Sequence, residues 1–290
     1  MILIEGARPS VAKVENFDRS YIRLRRKGDA PTTPWDRKPR LWAARPAREN
    51  GGGLSFAFEE RRVTIAAMCG RFTQNLSWAE IRRLADLVGQ PRNLAPRFNI
   101  APTTPIEVIR ASEAGNELVP MYWGLVPHWW KKPLKELPAT FNARAETVAE
   151  KPMFRGAFKY RRCIIPASGF YEWTGAKGAK TPHYFTSLNG LPLALAAIWD
   201  HWSGLDGGDD LPNATIVVGA ANSWMRRFHD RMPIILDWKD REAWMAGDDP
   251  AALLNPVREH ALREWTVSTR VNKAGAGDDD PALIEPIENA

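Results

Sequence analysis

Between Met68 and the C-terminus the chain is a succession of short strand-like segments punctuated by turn residues, and nothing else in it limits the fold as much. Residues 105–110, 117–123, 162–165, 169–173, 183–186, 193–199, 215–218, 234–236 and 265–267 are rich in β-branched, aromatic or aliphatic side chains. Gly, Pro, Asn, Asp and Ser separate them, as they separate strands in antiparallel sheets. Helical periodicity is scarce. Ser77 and Glu80 have the spacing of a capping box, Ile81, Leu84, Ala85 and Val88 follow on one helical face, and Gly89 stands where such a helix would end. Residues 237–246 read as a second helix with Asp237 as N-cap, and Asp249-Pro250 as the start of a third. Strands that do not alternate with helices predict an α+β fold: a single domain of mostly antiparallel, barrel-like sheet with a few peripheral helices.

Residues 1–67 follow another pattern. They are rich in Arg and Pro, include Gly51-Gly52-Gly53, and hold neither period for long. They read as disordered, a mistaken gene start or a removable leader rather than a regulatory extension, which leaves residues 68–290 as the folded domain. Charge supports the division. Residues 1–67 contain 14 Lys and Arg against 8 Asp and Glu, so the whole excess of +6 lies there and the remaining 26 of each sign cancel. The basic balance of the chain therefore does not by itself name a partner. An internal asymmetry remains: Lys131, Lys132, Lys135, Lys159, Arg161 and Arg162 belong to a basic stretch, while the region after Asp200 is acidic. Such a face either follows a phosphate backbone or is simply solvated.

Other classes drop out. Two cysteines make no disulfide framework, and Cys163, in Cys163-Ile164-Ile165-Pro166, reads as a core strand residue. No run of 18 apolar residues spans a bilayer and the N-terminus lacks a signal pattern, so a reducing, cytoplasmic setting is expected. His128, His183, His201 and His260 do not fall at metal-ligand spacing, and Ser168 lies in no nucleophile elbow. Neither a zinc site nor a serine hydrolase is expected.

The stretch Met68-Cys69-Gly70-Arg71-Phe72 reads like the start of a protein, placed 67 residues late. If Cys69 were the first residue, it would carry a free α-amine beside its thiol. An α-amine has a pKa of about 7.7–8.0 and is partly unprotonated at neutral pH. It can form a Schiff base with an aldehyde, and the thiol can then close a thiazolidine ring, which an internal cysteine cannot do.

Further stretches carry more polar identity than a fold requires: Arg97-Phe-Asn-Ile-Ala-Pro102, Trp123-Gly-Leu-Val-Pro-His-Trp-Trp130, Phe141-Asn-Ala-Arg-Ala-Glu-Thr147, Pro166-Ala-Ser-Gly-Phe-Tyr-Glu-Trp173 and Phe228-His-Asp-Arg-Met-Pro233. Together with Cys69-Gly-Arg-Phe72 and in this order, they resemble the SOS response-associated peptidase family, the abasic-site processing proteins, from Met68 to about Pro286. The resemblance implies a protein that binds single-stranded DNA as a monomer and captures the ring-opened aldehyde of an abasic site as a thiazolidine, with no metal or organic cofactor. It implies Cys69 as nucleophile, Asn142 holding the sugar or the Cys69 backbone, Glu172 as general acid/base near the amine, and His229 as the acid that opens the sugar ring. Arg71 and Arg144 would grip phosphates, Trp129 and Trp130 would wedge or stack beside the lesion, and Pro102 would shape the pocket wall. The family often has threonine where this chain has Gly219, which puts one phosphate contact in doubt. A self-processing peptidase that cuts the Met68–Cys69 bond, and a non-enzymatic single-strand-binding module, stay open as alternatives. Glu172, between Tyr171 and Trp173, is expected to be a partly buried carboxylate with a raised pKa.

Overall fold

The computed structural model describes residues 69–207, 210–275 and 277–287; residues 1–68, with the leader and the Met68 side of the Met68–Cys69 bond, lie outside them. Thirteen strands and three short α-helices follow in the order β1 (Phe72–Gln74), α1 (Trp78–Ala85), β2 (Arg97–Ile100), β3 (Pro105–Ser112), β4 (Gly115–Trp123), β5 (Asn142–Arg144), α2 (Arg155–Tyr160), β6 (Arg162–Ala167), β7 (Gly169–Thr174), β8 (Thr181–Ser187), β9 (Leu193–Trp202), β10 (Leu211–Ala220), β11 (Arg231–Pro233), β12 (Ile235–Leu236), α3 (Arg241–Ala246) and β13 (Leu262–Thr266). The α+β, mostly antiparallel expectation holds. β10 pairs with β4, β4 with β3, β3 with β6, β6 with β9, and β9 again with β10, which closes a five-stranded barrel. Only the pairings of β10 with β4 and with β5 are parallel. β13, β8, β7, β1 and β2 form a second sheet in that order.

Two-residue periodicity sorts the core. In β6, Cys163, Ile165 and Ala167 join one apolar cluster while Ile164 joins another; in β9, Leu193, Leu195 and Ala197 divide in the same way from Ala194, Ala196 and Ile198. The first cluster also holds Phe72, Phe170 and Phe185 of the second sheet. The second cluster is covered by Trp78 and Ile81 of α1, Phe158 of α2 and Trp244 of α3. Strands buried on both faces have no polar alternation, which is why β6 and β9 read as continuous apolar runs. The other face of the five-stranded sheet carries Tyr171 and Tyr184, which pack with Val267, Val271 and Leu283 of the C-terminal segment. Cys163 is fully buried, as its apolar setting predicts.

Several local expectations need correction. The Ser77–Glu80 capping box forms, but α1 stops at Ala85, because Asp86 turns left-handed (φ 49°) and Leu87 bridges to Asn116. Gly89 is thus not its C-terminal residue. The helix expected over 237–246 splits into a 3-10 turn, Trp238–Asp240, and α3, with no side-chain cap from Asp237. The third is a 3-10 turn, Pro250–Leu253, although Asp249 does cap it. The strand expected at 265–267 ends at Thr266, and Val267 makes an isolated bridge to Pro286. Three-residue β1, β5 and β11, four-residue β2 and six-residue α2 are too short for periodicity to reveal.

One glycine is demanded by close approach. A Cβ at Gly169 would lie 2.4 Å from the Tyr184 ring and 2.5 Å from the Phe185 carbonyl oxygen. Gly169→Ala must therefore push β7 and β8 apart. A loss of at least about 2 kcal/mol in urea unfolding is expected, typical of core overpacking; an unchanged midpoint would show that the strands yield freely.

Candidate active site

Cys69 lies just ahead of β1, and sheet register brings it to Glu172. Phe72 opposes Phe170, and the Tyr171 N–H donates to the Arg71 carbonyl. Continuing that register sets Gly70 opposite Glu172. The Cys69 backbone nitrogen donates to Glu172 Oε1 at 2.6 Å, which sets the carboxylate beside the cysteine. Both residues are buried, at 3% and 1% exposure. Burial pushes the Glu172 carboxyl up to about 7, against the opposing pull of its bonds from Cys69 and the charge of Lys180. Burial first, and the carboxylate second, hold the Cys69 thiol well above its ordinary value. Near neutral pH the thiol therefore keeps its proton, while Glu172 is poised to give or take one. Cys69 also has φ +39°, in the left-handed region.

The other predicted residues fall around this pair in different ways. Phe72 meets Trp123 edge-to-face at 4.8 Å, and Trp123 Nε1 donates to the Phe141 carbonyl, so the lead into β1 is tied to the lead into β5. β5 carries half-buried Asn142 opposite Ile216 and exposed Arg144 opposite Val218. At the same end of β10, Ala220 opposes Arg231, two residues beyond His229. Arg231 also pairs with Glu146, two residues beyond Arg144. The Arg231 N–H donates to His229 Nδ1 at 3.0 Å. Asp230 Oδ1 lies 3.0 Å from the same nitrogen, but that carboxylate is 86% exposed, and water can replace it. The backbone donor thus favours the tautomer with its proton on Nε2, the one able to donate outward. Pro102 is half-buried beside Thr103, whose left-handed backbone (φ 68°) bonds to the Trp123 carbonyl. Trp129 is exposed; half-buried Trp130 packs at 6.4 Å from it.

Two of the predicted positions have internal surroundings. Arg71 is engaged within the protein: its Nη1 donates to Asn99 Oδ1 at 2.5 Å and to the Val271 carbonyl at 2.8 Å, and its guanidinium lies over the Trp173 ring. These contacts tie the start of β1 to the C-terminal segment. Gly219 is buried, and a Cβ there would meet the Ile234 side chain at 2.8 Å, so any larger residue, threonine included, needs that side chain to shift.

The site also contains His183, which sequence reasoning considered only as a metal ligand. Register sets it directly across from Glu172, on the same face of the sheet. Its Nδ1 is 2.5 Å from Glu264 and its Nε2 2.8 Å from Thr174 Oγ1, and its ring meets Phe228, the neighbour of His229. Only the β7–β8 register could have revealed it. Among the described residues, no three His, Cys, Asp or Glu side chains gather as a metal ion would require.

The described residues thus form a β-barrel domain with a buried cysteine and carboxylate paired at the head of its first strand. A family model described as SOS response associated peptidase (SRAP) matches residues 68–274. Abasic site processing protein YoqW of Bacillus subtilis (strain 168) is 34% identical over 226 residues, 75% of this chain and 99% of that protein. Abasic site processing protein HMCES of Gallus gallus is 32% identical over 267 residues, 76% of this chain and 78% of that protein. The chain belongs to the SOS response-associated peptidase family. A crystal structure of a protein from Bacteroides thetaiotaomicron has the same fold, with a TM-score of 0.67 at 23% identity over 76% of this chain and 100% of that one.

Proposed function

We propose that this protein, once Cys69 is its first residue, binds single-stranded DNA as a monomer and joins covalently to abasic sites, shielding them in the response to DNA damage. The observation that carries the reading is the 2.6 Å contact from the Cys69 nitrogen to Glu172, with both residues buried. The abasic-site names of the relatives support the substrate.

His229 Nε2 passes its proton to the ring oxygen of the abasic sugar as the C1′–O4′ bond breaks, and regains one, through water, from the anomeric hydroxyl, which becomes the aldehyde carbonyl. The α-amine of Cys69 adds to the aldehyde carbon. Glu172 protonates the carbinolamine hydroxyl, which leaves as water, and an iminium ion remains. The thiol, still protonated because of its buried setting, gives its proton back to Glu172 as sulfur adds to the iminium carbon. The C=N electron pair returns to nitrogen, which keeps its one hydrogen as the ring closes, and a thiazolidine results. The order follows from the acidities: a thiol this weakly acidic attacks only when a base sits beside it. Arg144 and the remaining edge of Arg71 hold flanking phosphates, Asn142 and Pro102 frame the sugar, and Trp129 and Trp130 stack on neighbouring bases.

The test mixes a chain beginning at Cys69 with a single strand carrying one abasic site and resolves the products on a denaturing gel. A shifted, heat-stable band is expected, absent for Cys69→Ala. No band from the wild-type chain would sink the reading.

Backbone strain favours a second activity at the same residues, self-cleavage of the Met68–Cys69 bond. A non-glycine residue in the left-handed region costs about 1–2 kcal/mol, and Cys69 is in it. A terminal cysteine has no φ, so cleavage releases that strain: water, losing a proton to Glu172, adds to the Met68 carbonyl carbon, and Glu172 passes that proton to the Cys69 nitrogen as the C–N bond breaks.

A further inference from the structure

Away from Cys69, a buried carboxylate organises a surface that the proposed chemistry does not use. Asp200, on β9, is only 4% exposed. Its Oδ2 accepts from the His128 backbone N–H at 3.2 Å and lies 3.2 Å from His128 Nδ1 and 3.1 Å from Arg161 Nη2. Its Oδ1 accepts from the His201 N–H at 2.8 Å. A buried charge needs partners of this kind, and here they come from two separate segments. One is the loop carrying Trp129 and Trp130, pinned again by the bond from Trp202 Nε1 to the Trp130 carbonyl at 2.9 Å. The other is the end of α2, where Tyr160 precedes Arg161. The carboxylate thus holds two aromatic-bearing segments in a fixed relation.

What the hub displays is unusual for a surface. Tyr160 is 69% exposed and Trp129 44%, the two most accessible aromatic side chains among the large exposed apolar residues. Lys159 Nζ sits 5.0 Å from the centroid of the Tyr160 ring. Lys131 and Lys132 are exposed just beyond Trp130. Asp200, at the centre, is already shared between Arg161 and His128, so it does not offset these cations.

We propose that Tyr160, Lys159, Lys131 and Lys132, held beside Trp129 by the Asp200 hub, form an auxiliary platform for unpaired DNA flanking the lesion. The proposal rests on the single-strand reading above and extends it to a surface that reading does not need. Open aromatic faces stack on bases that have no partner, and interleaved lysines follow the phosphates between them; a duplex would hide its bases from both rings. Tyr160 would supply a second stacking position, reached only by a strand long enough to cross the hub.

The experiment measures fluorescence anisotropy of the chain beginning at Cys69 with labelled, undamaged single strands of about 4 and about 16 nucleotides, which bracket common site sizes. The wild-type protein should gain affinity with length; Tyr160→Ala should lose about 5-fold or more of that gain, as one lost base stack implies, and Lys159→Ala should lose part of it and weaken its salt dependence, as one lost phosphate contact implies. Both side chains are exposed, and circular dichroism verifies that the variants fold. Pairing the outer nucleotides with a complementary strand should also remove the gain. Variants that keep the full length dependence, a wild-type chain without one, or a gain that survives pairing would each overturn the platform. A wild-type chain that gains no affinity with length yet crosslinks abasic DNA leaves the proposed function standing; one that does neither ends both.

Discussion

A chain that keeps residues 1–68 ahead of Cys69 forms no thiazolidine with abasic DNA, whereas the chain beginning at Cys69 crosslinks: this is the largest effect expected. The reason is electronic. An amide nitrogen has its lone pair delocalised into the carbonyl and cannot add to an aldehyde, while an α-amine with pKa about 7.7–8.0 can. The Cys69 nitrogen already bonds to Glu172 with the peptide bond in place, so cutting the bond frees an amine beside that carboxylate. Full-length protein shown by intact mass to be uncut, protein beginning at Cys69 and the latter with its amine acetylated are compared on the same denaturing gel. Only the second should shift. Intact mass of the full-length protein during storage tests the companion activity: a product beginning at Cys69 is expected from the wild type and not from Glu172→Ala. Equal cleavage of the two would remove Glu172 from processing, and a crosslink from the uncut chain would require chemistry at another residue.

The parts of this site that could be read in the sequence are those carried by contiguous residues. Cys69-Gly-Arg-Phe72 and Tyr171-Glu-Trp173 are each a few residues long, and aromatic flanks alone argue for a buried Glu172 with a raised pKa, as found. Strands buried on both faces announce themselves as apolar runs, which is why β6 and β9 were legible while three-residue β1, β5 and β11 were not. Those short strands are held by their neighbours, and no local pattern encodes them. Arg71 and His183 show the same limit at the site. Whether an arginine faces a phosphate or a carbonyl 200 residues away depends on pairings between distant segments, and so does the placement of His183 opposite Glu172. Gly219 marks the same limit: the residue type is visible in the sequence, the Ile234 side chain packed against it is not.

Glu172→Gln should alter both catalysis and the pH dependence of stability, and the second effect isolates the carboxyl from every other group. For the full-length chain the folded pKa of Glu172 is about 7, against an ordinary value near 4.3 for an unfolded glutamate. Between those values the folded state retains a proton that the unfolded state releases. The contribution of Glu172 to stability is therefore fully present below about pH 4.3 and is lost as pH rises through about 7. The difference amounts to about 4 kcal/mol at 1.36 kcal/mol per pKa unit. Glutamine keeps an oxygen to accept the Cys69 N–H and has no proton to lose, so wild-type stability relative to Glu172→Gln should fall across this window by that amount. Urea unfolding at steps from pH 4 to pH 8 measures it, and parallel curves would mean that Glu172 titrates normally and is not desolvated. In the chain beginning at Cys69 an ammonium replaces the amide, favours the ionised carboxylate and moves the fall to lower pH. Crosslinking by Glu172→Gln should be slower by about 10²–10⁴-fold, the usual worth of a positioned acid/base. The loss should be smaller toward low pH, where solvent protons help expel water from the carbinolamine. If only the rate changed and the stability profile did not, Glu172 would act as a hydrogen-bonding group on Cys69 and not as its proton carrier.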